Sequence, residues 1–276
     1  MKFDPRPLAA VLAILIASAV LVAGAEAAPI KYVTDSLTAD PGESPQTGAG
    51  CPESTAPRVV GGGVTSSGGW NDSVLTRTFP APSSARDAWA TEVDAFSAIA
   101  VTTVAACVGG SAADKLTIRT KDGNLPAAFG ARKKITVECP PSYRATGGGV
   151  DLQANYGQVE LEASRPVAGG TAWRGQARRL SGPKSGMDVS VICATGPFAK
   201  DLTYEKKTRT AESGEQARAT AKCPGDAQVT SVGFHAGAGD STVNSAGIAT
   251  DGRSTNTWVD AGSLTAKFIG YAVCHK

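Results

Sequence analysis

The chain has 276 residues and an almost balanced charge, with 27 Lys and Arg residues against 25 Asp and Glu residues. Its basic residues are interleaved with acidic ones rather than gathered in a block, which argues against nucleic acid as a partner. Only 7 Phe and 2 Met accompany 32 Gly residues, so the core of any small unit in this chain must be thin.

The first 27 residues are typical of an export signal. Lys2 and Arg6 precede an apolar run from residue 8 to residue 22, and Ala25-Glu26-Ala27 is a small-residue cleavage site. The run has 15 residues, fewer than the roughly 20 that span a bilayer, so we expect cleavage after Ala27 rather than anchoring. The sequence therefore predicts a secreted mature chain without a membrane span.

The rest of the chain consists of three similar units. Each unit opens on a Cys-Pro pair and closes on a cysteine at the end of an apolar strand. The openers are Cys51, Cys139 and Cys223, spaced by 88 and 84 residues, and the closers are Cys107, Cys193 and Cys274, spaced by 86 and 81. Three tryptophans, Trp89, Trp173 and Trp258, follow the same period. We predict a repeat protein with units over residues 28–110, 111–197 and 198–276.

The six cysteines, an even number with each at a repeat marker, predict structural disulfides formed in an oxidising compartment. Many pairings are possible, and the repeat selects the one that joins the opener to the closer of each unit. The expected pairs are Cys51 with Cys107, Cys139 with Cys193, and Cys223 with Cys274. Each pair closes a long loop, a constraint worth about 4 kcal/mol in the chain-entropy estimate.

Inside the units, apolar and polar residues alternate. In QVELEASR, residues 158–165, Val159 and Leu161 lie on one face while Glu160 and Glu162 lie on the other, which is typical of a half-buried antiparallel strand. The best helical candidate, residues 211–222, is interrupted by Gly214. A strand-like segment also precedes each opening cysteine. The sequence therefore predicts an all-β fold of three tandem antiparallel β repeats.

Two arrangements of the three repeats are open. Their sheets can pack around a pseudo-threefold axis, each sheet forming one wall of a prism, or the repeats can fold as three separate β modules. The linkers between repeats have only a few residues, and a sheet with a thin core gains from its neighbours. We therefore expect the β-prism-like arrangement.

The motif CPPSYRATGGGV at residues 139–150, the following Ser-x-Pro strand, the Trp strand and the closing Cys strand resemble a repeat of exported bacterial proteins. Most of these proteins have no assigned function, and some carry collagen-like tails. The threefold plan with glycine-rich strands is also similar to the β-prism of vitelline membrane outer layer proteins and of some lectins. The first resemblance covers nearly all of the mature chain and implies a secreted bacterial protein. The second is architectural and transfers no sugar-binding residue. The third unit departs from the motif, because Gly233 alone corresponds to the glycine triplets of the other two.

Trp70 is the candidate binding residue. It lies with Asn71 and Asp72 in the loop SSGGWND, for which the other units show no sequence counterpart. An exposed indole beside two polar side chains is suited to stacking on a sugar ring, and the competing interpretation is a Trp folded over the sheet edge. The three repeated tryptophans, by contrast, are expected in the core, each at the start of a strand.

The sequence yields no catalytic set. His235 is interpreted as an ordinary strand histidine, and His275, the penultimate residue, is expected to be mobile. Glu160 and Glu162 have a spacing that suits a glycosidase pair or a cation, but a solvated strand face is the favoured interpretation. No CxxC spacing occurs, so we predict neither a metal site nor a cofactor.

These observations predict a secreted, non-enzymatic β-repeat protein of the cell envelope or extracellular space. It is expected to act by surface binding, with polysaccharide or a cell-surface protein as the partner. One alternative is a secreted glycan hydrolase that uses Glu160, Glu162 or His235. The other is a purely structural surface protein.

Overall fold

The computed structural model describes residues 29–52, 58–81, 87–237 and 241–276, so the expected export signal lies outside the described residues. A short helix α1 (Gly196–Lys200) and 3-10 turns at Gly110–Lys115 and Ala168–Gly170 accompany the strands. No helix in the described ranges is long and apolar enough to cross a membrane. The strands are β1 (Lys31–Ala39), β2 (Gln46–Gly50), β3 (Arg58–Ser66), β4 (Ser73–Ala81), β5 (Ala88–Ala95), β6 (Ile99–Val108), β7 (Leu116–Leu125), β8 (Arg132–Glu138), β9 (Arg144–Gln153), β10 (Val159–Pro166), β11 (Ala172–Arg179), β12 (Ser185–Ala194), β13 (Leu202–Ala211), β14 (Gln216–Lys222), β15 (Gln228–His235), β16 (Ser241–Ile248), β17 (Ser254–Ala261) and β18 (Ala266–His275).

These strands form three six-stranded antiparallel sheets, which confirms the predicted all-β, β-prism-like arrangement. Sheet 1 has the order β1-β6-β3-β16-β17-β14, sheet 2 the order β2-β5-β4-β9-β12-β7, and sheet 3 the order β13-β18-β15-β10-β11-β8. Each repeat has six strands, two of which precede its opening cysteine.

We expected each sheet to be formed by one repeat, but each sheet contains strands from two repeats. The first, third and sixth strands of a repeat form half of one sheet, and its second, fourth and fifth strands form half of another. The halves join where the third strand of one repeat pairs with the fourth strand of another, as β3 pairs with β16 through Val64 and Ala246. The joins β9–β4 and β15–β10 repeat this contact. Every wall therefore combines two repeats, and the three repeats interlock.

The disulfides tie the two halves of each repeat together. Cys51 directly follows β2 of sheet 2, and its partner Cys107 lies in β6 of sheet 1. The other two bonds, Cys139–Cys193 and Cys223–Cys274, occupy the equivalent places. All three are the pairs that the repeat period predicts, and the described residues contain no free cysteine.

Glycine is required where the third strands β3, β9 and β15 approach one another at the centre. A Cβ on Gly61 would lie 2.3 Å from the carbonyl oxygen of Thr230, and a Cβ on Gly147 would lie 2.6 Å from that of Val60. The strands are also hydrogen bonded there, because the Thr146 hydroxyl donates to the Val60 carbonyl at 2.8 Å. The first glycine of each triplet therefore serves the junction between repeats.

The second glycine of each triplet makes room for a tryptophan inside its own repeat. Trp89 is fully buried against Gly62, where an added Cβ would lie 2.4 Å from the indole Cγ. The indole Nε1 donates to the Thr78 hydroxyl at 3.0 Å. In repeat 2 the same roles fall to Trp173, Gly148 and Ser164.

Trp258 does not belong to this set, so its predicted core position at a strand start is wrong. It is the fifth residue of β17, half-buried, with the Arg218 guanidinium 5.2 Å from its ring centre. Aligning the ends of the fifth strands places Thr255 where the other repeats have Trp. Val232 stands at the position of the second glycine in this repeat, and its Cγ1 lies 2.5 Å from where a Cβ on Gly63 of repeat 1 would be. The 85-residue spacing of Trp258 from Trp173 is therefore coincidental.

Candidate functional site

Loops that follow the first, third and fifth strand of every repeat lie at the same end of the molecule, because neighbouring strands are antiparallel throughout. We call this the loop end. Its described segments are residues 40–45, 67–72 and 96–98 in repeat 1, 126–131, 154–158 and 180–184 in repeat 2, and 212–215, 236–237 and 262–265 in repeat 3.

The loop end carries every large hydrophobic residue that is exposed within the described ranges. These residues have exposed fractions between 38% and 84%, and they are Trp70, Phe96, Phe129, Tyr156 and Leu264. They come from all three repeats. Large contiguous apolar patches on folded proteins mark interaction sites, so the loop end is the candidate surface.

Trp70 is both exposed and fixed in place. Its exposed fraction is 49%, while its indole Nε1 donates to the Ala261 carbonyl at 3.4 Å. The neighbouring Asn71 has a left-handed backbone with φ of 59°, and its N–H donates to a carboxylate oxygen of Asp260 at 2.8 Å. Asp72 closes the loop by accepting the N–H of Gly69 at 2.6 Å. The three candidate residues therefore divide their roles: Trp70 and Asn71 present side chains to solvent, and Asp72 shapes the loop.

Asp260 of repeat 3 anchors this loop of repeat 1. It is buried, and its carboxylate accepts hydrogen bonds from Asn244 Nδ2 at 3.2 Å and from Gln216 Nε2 at 2.9 Å. Burial raises the pKa of Asp260, and the hydrogen bond from the N–H of Asn71 acts in the opposite direction. Sequence reasoning missed this residue, although the recurrence of Val-Asp-Ala at residues 93–95 and 259–261 was a signal for it.

The structure gives Trp70 a counterpart, contrary to expectation. The hydroxyl of Tyr156 in repeat 2 donates to the Ala95 carbonyl at 3.2 Å, and the N–H of Gly157 donates to the Asp94 carboxylate at 2.8 Å. These contacts repeat those of Trp70 and Asn71 with Ala261 and Asp260. Tyr156 also meets the ring of Phe96 edge to face, with ring centres 5.6 Å apart. The same pair of contacts between two repeats therefore holds an aromatic ring at two of the junctions.

The two glutamates of the hydrolase hypothesis are buried in ion pairs, so the expected solvated strand face is wrong. Arg178 contacts Glu160 at 2.5 Å, and Arg132 contacts Glu162 at 2.8 Å. Glu162 also accepts a hydrogen bond from Gln176 at 2.8 Å. Carboxylates held in this way neutralise neighbouring arginines in the sheet.

The two histidines lie in separate surroundings. His235 is the half-buried last residue of β15, and burial together with Arg165 and Arg174 lowers its pKa. His275 was expected to be mobile, but it is the buried last residue of β18 and stacks on Phe198 with ring centres 3.9 Å apart. Burial lowers the pKa of His275 as well.

No group of three or more His, Cys, Asp and Glu side chains in the described part of the chain is arranged to hold a metal ion. The chain matches no protein-family model and no curated protein sequence.

Proposed function

We propose that the protein is a secreted, non-enzymatic β-repeat protein of the cell envelope or extracellular space that binds carbohydrate through its loop end. The observation that carries the proposal is the gathering of exposed aromatic side chains from different repeats on this one surface. Three disulfides, one in each repeat, support a protein that folds in an oxidising compartment.

The chemistry of Trp70 favours a carbohydrate ligand. The apolar C–H face of a sugar ring packs on an indole, while amide groups at its rim bind hydroxyls. The hydrogen bond of Trp70 to Ala261 and the buried contacts of Asp260 hold the loop before a ligand arrives. Such preorganisation reduces the entropy lost on binding. The exposed side chain of the neighbouring residue Asn71 supplies an amide.

The test is retention of the oxidised protein, residues 28–276, on insoluble cell-wall and storage polysaccharides, with the supernatant assayed for released sugars. Trp70→Ala is expected to weaken retention by about 30-fold, as removal of a central aromatic anchor costs about 2 kcal/mol. Trp258→Ala is the matched control, because Trp258 is half-buried on sheet 1 and not at the loop end. It should bind as the parent does.

Other results would contradict the proposal. Sugar release that disappears in Glu160→Gln would establish the hydrolase. Retention that is equal in the parent and Trp70→Ala would remove the loop end as the binding surface. Absence of retention on every polysaccharide would leave a structural role or a protein partner.

A further inference from the structure

The outer face of sheet 3 carries two arginines that the fold does not neutralise. Arg165 of β10 and Arg174 of β11 are directly opposite each other in the sheet register. Like charges in this position destabilise a pair of strands. Neither arginine forms an ion pair with a carboxylate of the described residues, whereas Arg132 and Arg178 of the same sheet pair with Glu162 and Glu160.

The environment of the two arginines adds donors and positive charge. The Arg165 guanidinium lies over the ring of Tyr271, 5.8 Å from its centre, and Lys206 is opposite Tyr271 in the register. The Nε of Arg165 is buried and has no hydrogen-bond partner. Arg174 donates from Nε to the Thr136 hydroxyl at 3.2 Å, which fixes its position. His235 lies nearby: burial and both guanidinium groups lower its pKa, and the Glu162 carboxylate acts in the opposite direction.

The fold itself does not require this arrangement. The equivalent facing pair in sheet 2 is Phe79 and Ala90, one residue before Pro80 and one after Trp89 respectively. Sheet 2 thus forms the same strand pair without a charged side chain at this position. Of these two sheets, sheet 3 has the arginine pair and sheet 2 does not. The repulsion between the two arginines is therefore not explained by the fold.

We infer that Arg165 and Arg174, with Tyr271 and Lys206 beside them, form a binding site for an oxyanion such as a sulfate, phosphate or carboxylate group. Planar guanidinium groups bind such oxygens through paired, charge-assisted hydrogen bonds. A bound oxyanion offsets the repulsion between the two arginines. The source is either a free anion or the charged substituent of an acidic polysaccharide.

This site is separate from the loop end. Arg165 lies near the end of β10, and Arg174 near the start of β11, so both are at the opposite end of their strands from the loop end. The inference therefore stands without the carbohydrate proposal. Trp70→Ala should leave oxyanion binding intact.

The test is a titration of the isotope-labelled protein with sodium sulfate and with sodium phosphate at constant ionic strength. The Nε–H resonances of the arginines report the binding site directly. We expect saturable shifts at Arg165 and Arg174, and none at Arg218, which also lies over an aromatic ring. Arg165→Gln and Arg174→Gln should each weaken binding about tenfold, since each removes a charge-assisted pair. The matched control Arg218→Gln should change affinity by less than about twofold, as exposed charges contribute little.

Urea unfolding in chloride buffer shows whether a variant has lost the binding site or has lost stability. Arg174→Gln should be at least as stable as the parent, because it removes like-charge repulsion. Retention on dextran sulfate but not on dextran, weakened by either variant, would identify a polymer substituent as the source. Response to the inorganic ions alone would identify a free anion. Shifts of equal size at Arg218, or unchanged affinity in both variants, would overturn the inference.

Discussion

The contact between Gly62 and Trp89 can be tested by replacing both residues of repeat 1 with those of repeat 3. In repeat 1 the change is Gly62→Val together with Trp89→Thr, which copies Val232 and Thr255 of repeat 3. Trp89→Thr alone empties the site of a fully buried indole and should cost about 3–5 kcal/mol. Gly62→Val alone places its Cβ 2.4 Å from the Trp89 Cγ and 2.4 Å from the Val104 carbonyl oxygen, an overpacking that should cost about 1–3 kcal/mol or more.

The double variant tests the structural reasoning. Removal of the indole relieves one of the two close contacts of the valine, while the contact with the Val104 carbonyl oxygen remains, so the combined loss should be smaller than the sum by about 1–3 kcal/mol. The measurement is urea unfolding with disulfides intact, in which the free energy of unfolding is extrapolated linearly to water. Trp258→Thr is the control, and because Trp258 is half-buried on an outer face its loss should be below about 1 kcal/mol. Additive losses within about 0.5 kcal/mol, or an equal loss in the control, would refute the assignment of the two tryptophan positions.

Three further predictions concern the anchor, the buried histidine and the disulfides. Asp260→Ala should lower the free energy of unfolding by about 1–3 kcal/mol and change the fluorescence of Trp70, because three donors lose their acceptor. Burial holds the folded pKa of His275 below its unfolded value of about 6.5, so the unfolded chain binds the proton first. The free energy of unfolding should therefore fall as the pH drops from about 7 toward that lower folded pKa, and His275→Gln should reduce this slope in urea titrations at several pH values. Replacing Cys223 and Cys274 by Ala should cost about 2–5 kcal/mol, measured by the same unfolding experiment.

Each of these outcomes has a control within the chain. Asp94→Ala removes the equivalent anchor under Tyr156 and should leave Trp70 fluorescence unchanged. An unaltered pH slope in His275→Gln would assign the slope to His235, whose pKa is lowered too. If reduction of the parent costs no stability, the chain-entropy account of the disulfides fails.

The repeat markers carried the correct predictions. The cysteine period gave all three disulfides, and the alternation of apolar residues gave the all-β class. The pairing between repeats could not be predicted from the sequence. The pairing of β3 with β16 joins residues almost two hundred positions apart and leaves no local pattern. The role of Asp260 could not be predicted for the same reason, since its carboxylate accepts the hydrogen bond of Asn71 across that junction.

Strict alternation failed at one place for a physical reason. A β-bulge between Leu161 and Ala163 leaves Glu162 as the extra residue of β10, so counting by twos fails beyond Glu162, and Ser164 accepts a hydrogen bond from the buried Trp173 indole. Burial of Glu160 depends on Arg178, which lies on the adjacent strand β11. Neither the bulge nor the arginine partner is visible in the local sequence QVELEASR.

The pairing of repeat 1 with repeat 3 also closes the molecule into a ring. The N–H of Ile30 donates to Gln228 Oε1 at 3.3 Å, and Gln228 is paired with His275 of the last strand. The two ends of the described chain are thus neighbours, in the place where a linker such as residues 195–201 connects the other repeats. A circular permutant that joins residue 276 to residue 29 through a short linker and opens between two repeats would keep every strand pair. The order of the repeats along the polypeptide is therefore not what holds the sheets together.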